Sequence, residues 1–145
     1  MKIAIINGPN LNWLGKRETS IYGEKSLDDI KLKTESFFNL KELTLKWFQS
    51  NSEGEIIDFI QKSQKETGGL VINPGAYSHT SVAIRDALEA YPHYKVEVHL
   101  SNIYKRDNFR QSLLTAGAVD SIMCGLGNLA YSMAIDLILK KEAQK

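Results

Sequence analysis

The sequence predicts an α/β protein built on one parallel sheet, and three observations carry that prediction. Five short apolar runs of strand length recur along the 145 residues. Segments with helix-start signals separate them, giving the order βαβαβαβαβα expected of right-handed crossovers between parallel strands. Each apolar run also stops at a polar cluster bearing Asn. Parallel strands would bring those clusters to one end of the sheet, where open α/β sheets bind their ligands.

Taken in order, the first run is Ile3-Ala4-Ile5-Ile6, which enters Asn7-Gly8-Pro9-Asn10. It is too short for a signal segment or a membrane span and reads as a buried strand. The polar stretch from Gly15 to Gly23 follows directly, and a long loop at the binding edge is a natural lid. Ser26-Leu27-Asp28-Asp29 opens a helix over 26–38, with an N-cap serine and acids in its first turn. The second strand, Leu43-Thr44-Leu45-Lys46-Trp47-Phe48, leads to Gln49-Ser50-Asn51. Ile56, Ile57, Phe59 and Ile60 give the next helix an apolar face, and Thr67-Gly68-Gly69 stops it. Leu70-Val71-Ile72 meets Asn73-Pro74-Gly75-Ala76-Tyr77-Ser78-His79, after which 81–90 is helical until Pro92. Val96-Glu97-Val98-His99-Leu100 meets Ser101-Asn102, and 108–116 reads as a helix. Ile122-Met123-Cys124 meets Gly125-Leu126-Gly127-Asn128, and a last helix spans 129–140 before a solvated tail. Five βα units cannot close an eightfold barrel, so the expected architecture is a flavodoxin-like three-layer sandwich with a five-stranded parallel sheet.

The length suits a single domain, 1–145. The hydrophobic fraction of 43% and charged fraction of 24% are those of an ordinary globular protein. A net charge of +1 gives no general attraction to nucleic acid or to an anionic membrane, so neither is an expected partner and any bound anion must be held locally. Cys124, the lone cysteine, reads as a buried core thiol and excludes an internal disulfide. A cytoplasmic protein is expected.

Candidate chemistry centres on the strand ends. Glu97 and His99 lie two apart on a strand and share a face. A carboxylate beside an imidazole fixes its orientation and suits a general acid, although a surface ion pair would look the same in sequence. Glu97, His79 and His99 could also supply three metal ligands, but no His-x-x-x-His pair or further Cys or Asp cluster supports a metal. Asn7-Gly8-Pro9-Asn10 matches no phosphate-binding loop, and Pro9 removes an N–H such a loop would use. The amides of Asn10, Asn73 and Asn102 suit a polyhydroxylated substrate and an ordered water. Arg17, Arg85, Arg106 and Arg110 are available for an anion.

These motifs resemble the type II 3-dehydroquinate dehydratases over nearly the whole chain and in the right order. Ile6-Asn7-Gly8-Pro9-Asn10-Leu11-Asn12 with Arg17-Glu18 and Tyr22-Gly23 is similar to the family's opening signature. Gln49-Ser50-Asn51-Ser52-Glu53-Gly54-Glu55 resembles its second, and Asn73-Pro74-Gly75-Ala76-Tyr77-Ser78-His79 through Arg85-Asp86 its third. Glu97-Val98-His99-Leu100-Ser101-Asn102 with Arg106 and Phe109-Arg110 resembles its fourth.

The resemblance implies anti elimination of water from 3-dehydroquinate through an enolate, giving 3-dehydroshikimate in the shikimate pathway without metal or organic cofactor. Tyr22 would take the C2 proton, with Arg17 favouring its phenolate. Lowering a phenol's pKa by ~2 units takes ~2.7 kcal/mol, which a neighbouring guanidinium can supply. Asn10 would hold a water against the enolate, and His99, oriented by Glu97, would protonate the departing C1 hydroxyl. Asn73, His79 and Arg110 would bind hydroxyls, while Leu100 and Ser101 would offer backbone N–H groups to the carboxylate. Asp86 would reach a neighbouring subunit's site in a homododecamer built as a tetramer of trimers. Thr19 departs from the family's usual proline, and Ala130 from a common glycine. The alternative function is a non-catalytic flavodoxin-like domain that binds a small carboxylate or polyol.

Overall fold

The computed structural model describes residues 1–16, 18–39 and 42–145, with Tyr22 described by its backbone alone. Its strands are β1 (Lys2–Asn7), β2 (Thr44–Gln49), β3 (Gly69–Asn73), β4 (Tyr94–His99) and β5 (Ser121–Cys124). They form one sheet in the order β2-β1-β3-β4-β5, with every pairing parallel. The helices are α1 (Thr19–Tyr22), α2 (Leu27–Glu35), α3 (Glu53–Glu66), α4 (Val82–Ala90) and α5 (Leu129–Glu142). The predicted α/β fold is therefore present, and its strand order is the flavodoxin-like one. That order reverses between β1 and β3, which makes the carboxyl ends of these two strands the natural ligand crevice.

Side-chain alternation explains how one sheet supports two cores. In β1, Ile3 and Ile5 join Ile30 of α2 and Tyr131, Ile135 and Ile138 of α5 on one face. Ala4 and Ile6 point the other way, to Ile56 and Ile60 of α3 and Ile84 and Leu88 of α4. All four β1 residues are fully buried, so a slip of one residue in register would exchange the two cores.

Local signals set most boundaries. Ser26 and Asp29 form a reciprocal capping box at α2, with N–H···O distances of 3.1 and 3.0 Å. The Ser26 backbone N–H and hydroxyl also hold the Asp29 carboxyl below its usual pKa. Ser81 caps α4 through the Ile84 N–H at 2.9 Å. Among the described residues no helix is long and apolar enough to cross a membrane.

The helix expected over 108–116 does not form. Two 3₁₀ turns, Asn108–Gln111 and Thr115–Ala118, stand there, the second forming the end of an irregular strap at 112–118. Backbone groups that a helix would pair internally are used by neighbours instead. Leu114 N–H donates to Ser78 O at 2.7 Å, and Leu114 O accepts from Nη1 of Arg85 at 2.9 Å. Ser112 O lies 2.9 Å from Nδ1 of His79. The helix expected over 26–38 also stops early, at Glu35.

The loops after β1 and β3 interlock. Gly8 N–H donates to Asn73 O at 2.8 Å. A Cβ at Gly8 would stand 2.2 Å from Pro74 O, so only glycine lets the two backbones meet this closely.

Candidate active site

A pocket of ≈ 180 Å³ opens at the carboxyl ends of β1, β3 and β4. Asn10, Asn73, His79, His99, Leu100, Ser101 and Arg110 all line it, which unites seven of the site residues read from the sequence. Leu11, Leu14 and Ile103 supply apolar walls. Arg106 and Arg110 contribute guanidinium groups, and among the described residues no acidic side chain is part of the lining. That charge pattern favours a small anion.

Two buried polar networks support the floor, one on each face of the sheet. On the α3/α4 face, Glu97 and His99 project together from β4, as their spacing requires. Glu97 is wholly buried and His99 is 7% exposed. Oε1 of Glu97 lies 2.7 Å from Nε2 of His99, and Oε2 accepts from the Thr115 hydroxyl at 2.7 Å. A carboxylate only accepts, so Nε2 carries the hydrogen toward Glu97 and leaves Nδ1 as the nitrogen available to a ligand. The surface-pair reading of Glu97 and His99 is thus excluded by burial.

On the α2/α5 face, Tyr131 of α5 donates its hydroxyl to Oδ1 of Asn7 and accepts from Nδ2 of Asn73 at 3.3 Å. Asn73 Oδ1 in turn accepts the Gly75 N–H at 3.2 Å. The amide is therefore locked, with one Nδ2 hydrogen left for the pocket. Burial pushes the Tyr131 phenol well above its ordinary pKa, with the Asn73 bond acting weakly in the opposite sense.

The remaining residues divide clearly. Asn10 sits in the left-handed region at φ 66°, a conformation Asn tolerates better than most residues, and its N–H donates to Asn51 Oδ1 at 3.0 Å. Among the described residues Nε of Arg110 is buried without a hydrogen bond, since Asp107 lies 3.7 Å away, so a donor remains for a ligand. The carbonyls of Leu100 and Ser101 accept from Gly127 and Gly125 N–H groups at 3.0 Å each, which fixes this segment against the turn after β5. Asn102 does not line the pocket; its side chain accepts the Tyr104 N–H at 3.1 Å as a cap. Arg85 faces the strap, away from the lining. Asp86 lines a separate groove between α3 and α4 with Ile57, Gln61 and Ala83.

Arg17 lies outside the described residues, and nothing is described of the Tyr22 side chain. The lid stretch contains α1, preceded by Glu18 at φ 43°. Cys124 is half-buried rather than a core thiol, because β5 is an edge strand. The three-ligand metal arrangement does not form: among the described residues no group of three or more His, Cys, Asp or Glu side chains could hold an ion. Sequence reasoning missed Thr115 and Tyr131, since neither bond partner is near in sequence.

Fold and pocket together define a doubly wound α/β enzyme with a site for a small anionic molecule. Comparison narrows this further. The chain belongs to the dehydroquinase class II family, whose model matches residues 1–139. It is 50% identical over 137 residues to a 3-dehydroquinate dehydratase of Clostridium botulinum, covering 94% of this chain and 93% of the relative. A 3-dehydroquinate dehydratase of Bartonella henselae is 47% identical over 141 residues, 97% of this chain and 95% of that one. Among solved structures, a type II dehydroquinase from Butyrivibrio crossotus superposes with a TM-score of 0.92 at 45% identity, covering 96% of this chain and 97% of the other.

Proposed function

We propose that this chain is a hydro-lyase that eliminates water from 3-dehydroquinate to give 3-dehydroshikimate, in the shikimate route to aromatic amino acids. The observation that carries the reading is the His99 ring, which lines the pocket and is held at Nε2 by buried Glu97. A proton donor so oriented is what the loss of a poor leaving group, hydroxide, requires.

The steps follow from the residues. The Tyr22 phenolate, favoured by Arg17, takes the C2 proton, and the electron pair moves into an enolate. Asn10 holds a water whose hydrogen bond stabilises the enolate oxygen, a dipole fixed before the reaction begins. As the enolate collapses, the C1–O bond breaks and His99 gives its proton to the leaving oxygen, releasing water. The proton held by Tyr22 returns to the imidazole through solvent. Asn73, His79 and Arg110 orient the substrate hydroxyls. Leu100 and Ser101 offer N–H groups to the carboxylate, and Arg106 adds positive charge beside it. The chemistry needs no metal or organic cofactor.

Asp86 acts in a neighbouring subunit's site, within a homododecamer arranged as a tetramer of trimers. Its position in the α3/α4 groove, apart from the pocket of its own chain, supports this. Exposed Val82, Phe109, Leu129 and Met133 supply apolar surface for such contacts. Family membership supports a cytoplasmic setting.

The test is to mix purified protein with 3-dehydroquinate and a chelator, and follow the ultraviolet band of the conjugated enone. Turnover by the wild type, lowered ~10³-fold or more in Tyr22→Phe, is expected. Unchanged turnover in Tyr22→Phe would remove the tyrosine from the role of base. A folded wild type that binds without turning over would instead be a binding domain.

A further inference from the structure

We propose that Thr115 is a positioning residue for proton donation, acting through Glu97. The proposal rests on the reading that His99 is the general acid and extends it to a group outside the pocket lining.

Glu97 is a charge that bulk water cannot reach, since none of its surface is exposed. Among the described residues its two oxygens have one hydrogen-bond donor each, the ring of His99 and the hydroxyl of Thr115. A buried carboxylate is tolerated only when its lone pairs are met by donors. Without the Thr115 hydroxyl, Oε2 would be orphaned, and the carboxylate could rotate or draw the imidazole proton onto itself. Either change spoils the presentation of Nδ1 to the leaving oxygen. Thr115 is itself fully buried, so no water stands ready to replace it.

A hydroxyl can position a carboxylate only if its own backbone is fixed. The strap supplies that fixation: Arg85 of α4 grips Leu114 O at 2.9 Å, and Leu114 N–H is bound to Ser78 O at 2.7 Å. A Cβ on Gly117 would meet Nη1 of Arg85 at 2.7 Å, so the strap lies hard against that guanidinium. Ser112 O in the same strap also faces Nδ1 of His79. One irregular segment thus registers two histidines of the pocket at once.

The experiment is steady-state kinetics on Thr115→Val, Thr115→Ser and Glu97→Gln, alone and combined, with the thermal midpoint of each measured. Thr115→Val is expected to lower kcat about 10-fold with KM within about 2-fold, and Thr115→Ser to recover most of the loss. In the Glu97→Gln background, adding Thr115→Val should change kcat by less than about 2-fold, because the route through the carboxylate is already cut. A structural role alone would give a KM and stability effect that persists undiminished in that background, and would overturn the proposal. So would wild-type kcat in a folded Thr115→Val. If turnover is abolished in His99→Ala while Thr115→Val behaves as wild type, only the Thr115 proposal fails. If His99→Ala is fully active, the reading beneath it fails.

Discussion

The two polar networks beneath the pocket make an instructive pair. Glu97, His99 and Thr115 lie on the α3/α4 face and carry a charge with no solvent contact at Glu97. Asn7, Asn73 and Tyr131 lie on the α2/α5 face and are neutral throughout. Both are buried, and each leaves one group toward the pocket, Nδ1 of His99 and an Nδ2 hydrogen of Asn73. In the mechanism proposed above the charged network presents a proton, while the neutral one fixes the direction of an amide. A neutral network also tolerates an imperfect neighbourhood, since Nε1 of Trp47, whose ring lies 5.7 Å from that of Tyr131, is buried with no hydrogen-bond partner among the described residues. A charge left with such an orphan would cost far more.

Three substitutions sharpen the contrast, beginning with the greatest effect. His99→Ala should lower kcat about 10³-fold while leaving the fold intact, as seen by circular dichroism beside kinetics. Glu97→Gln keeps the shape and removes the charge, and should lower kcat about 10²-fold with a modest change in KM. Tyr131→Phe reverses the pattern: kcat within about 3-fold, but a loss of about 1–3 kcal/mol in denaturant unfolding, because Asn7 and Asn73 each lose a partner in the interior. If Tyr131→Phe instead crippled turnover at full stability, the division between the two networks would be wrong.

Alkali separates the networks further. In the folded chain Tyr131 keeps its proton past the pH near 10 at which a free tyrosine ionises. Above that pH the unfolded chain binds fewer protons than the folded one, so stability falls as pH rises. The Tyr131→Phe variant should show a shallower fall in unfolding free energy between pH 9 and 11 (roughly the window around a free phenol) than the wild type.

What could be read from the sequence was whatever depends on neighbours along the chain. Strand alternation and helix-start signals are local, so β1 to β5 and the starts of α2 and α4 were legible. The Glu97-x-His99 face was legible for the same reason. The strap at 112–118 was not, because its hydrogen bonds go to Ser78, His79 and Arg85, some thirty residues earlier, and those tertiary bonds override a helical pattern. Thr115 and Tyr131 were hidden likewise. Asn102 shows the converse error: an amide at a strand end read as a ligand group serves as a local cap.

Tyr131 and Asn7 are 124 residues apart in sequence. During synthesis β1 leaves the ribosome long before α5 exists, so every nascent chain spends most of its translation with Asn7 and Asn73 lacking their common partner. The amide that faces the pocket is held by the Gly75 N–H from the start and gains its second anchor, Tyr131, only when α5 docks. A truncated product ending before α5 would carry all of Asn10, Glu97 and His99 and still lack that second anchor. Docking of α5 and closure of the last bonds beneath the floor are therefore one event.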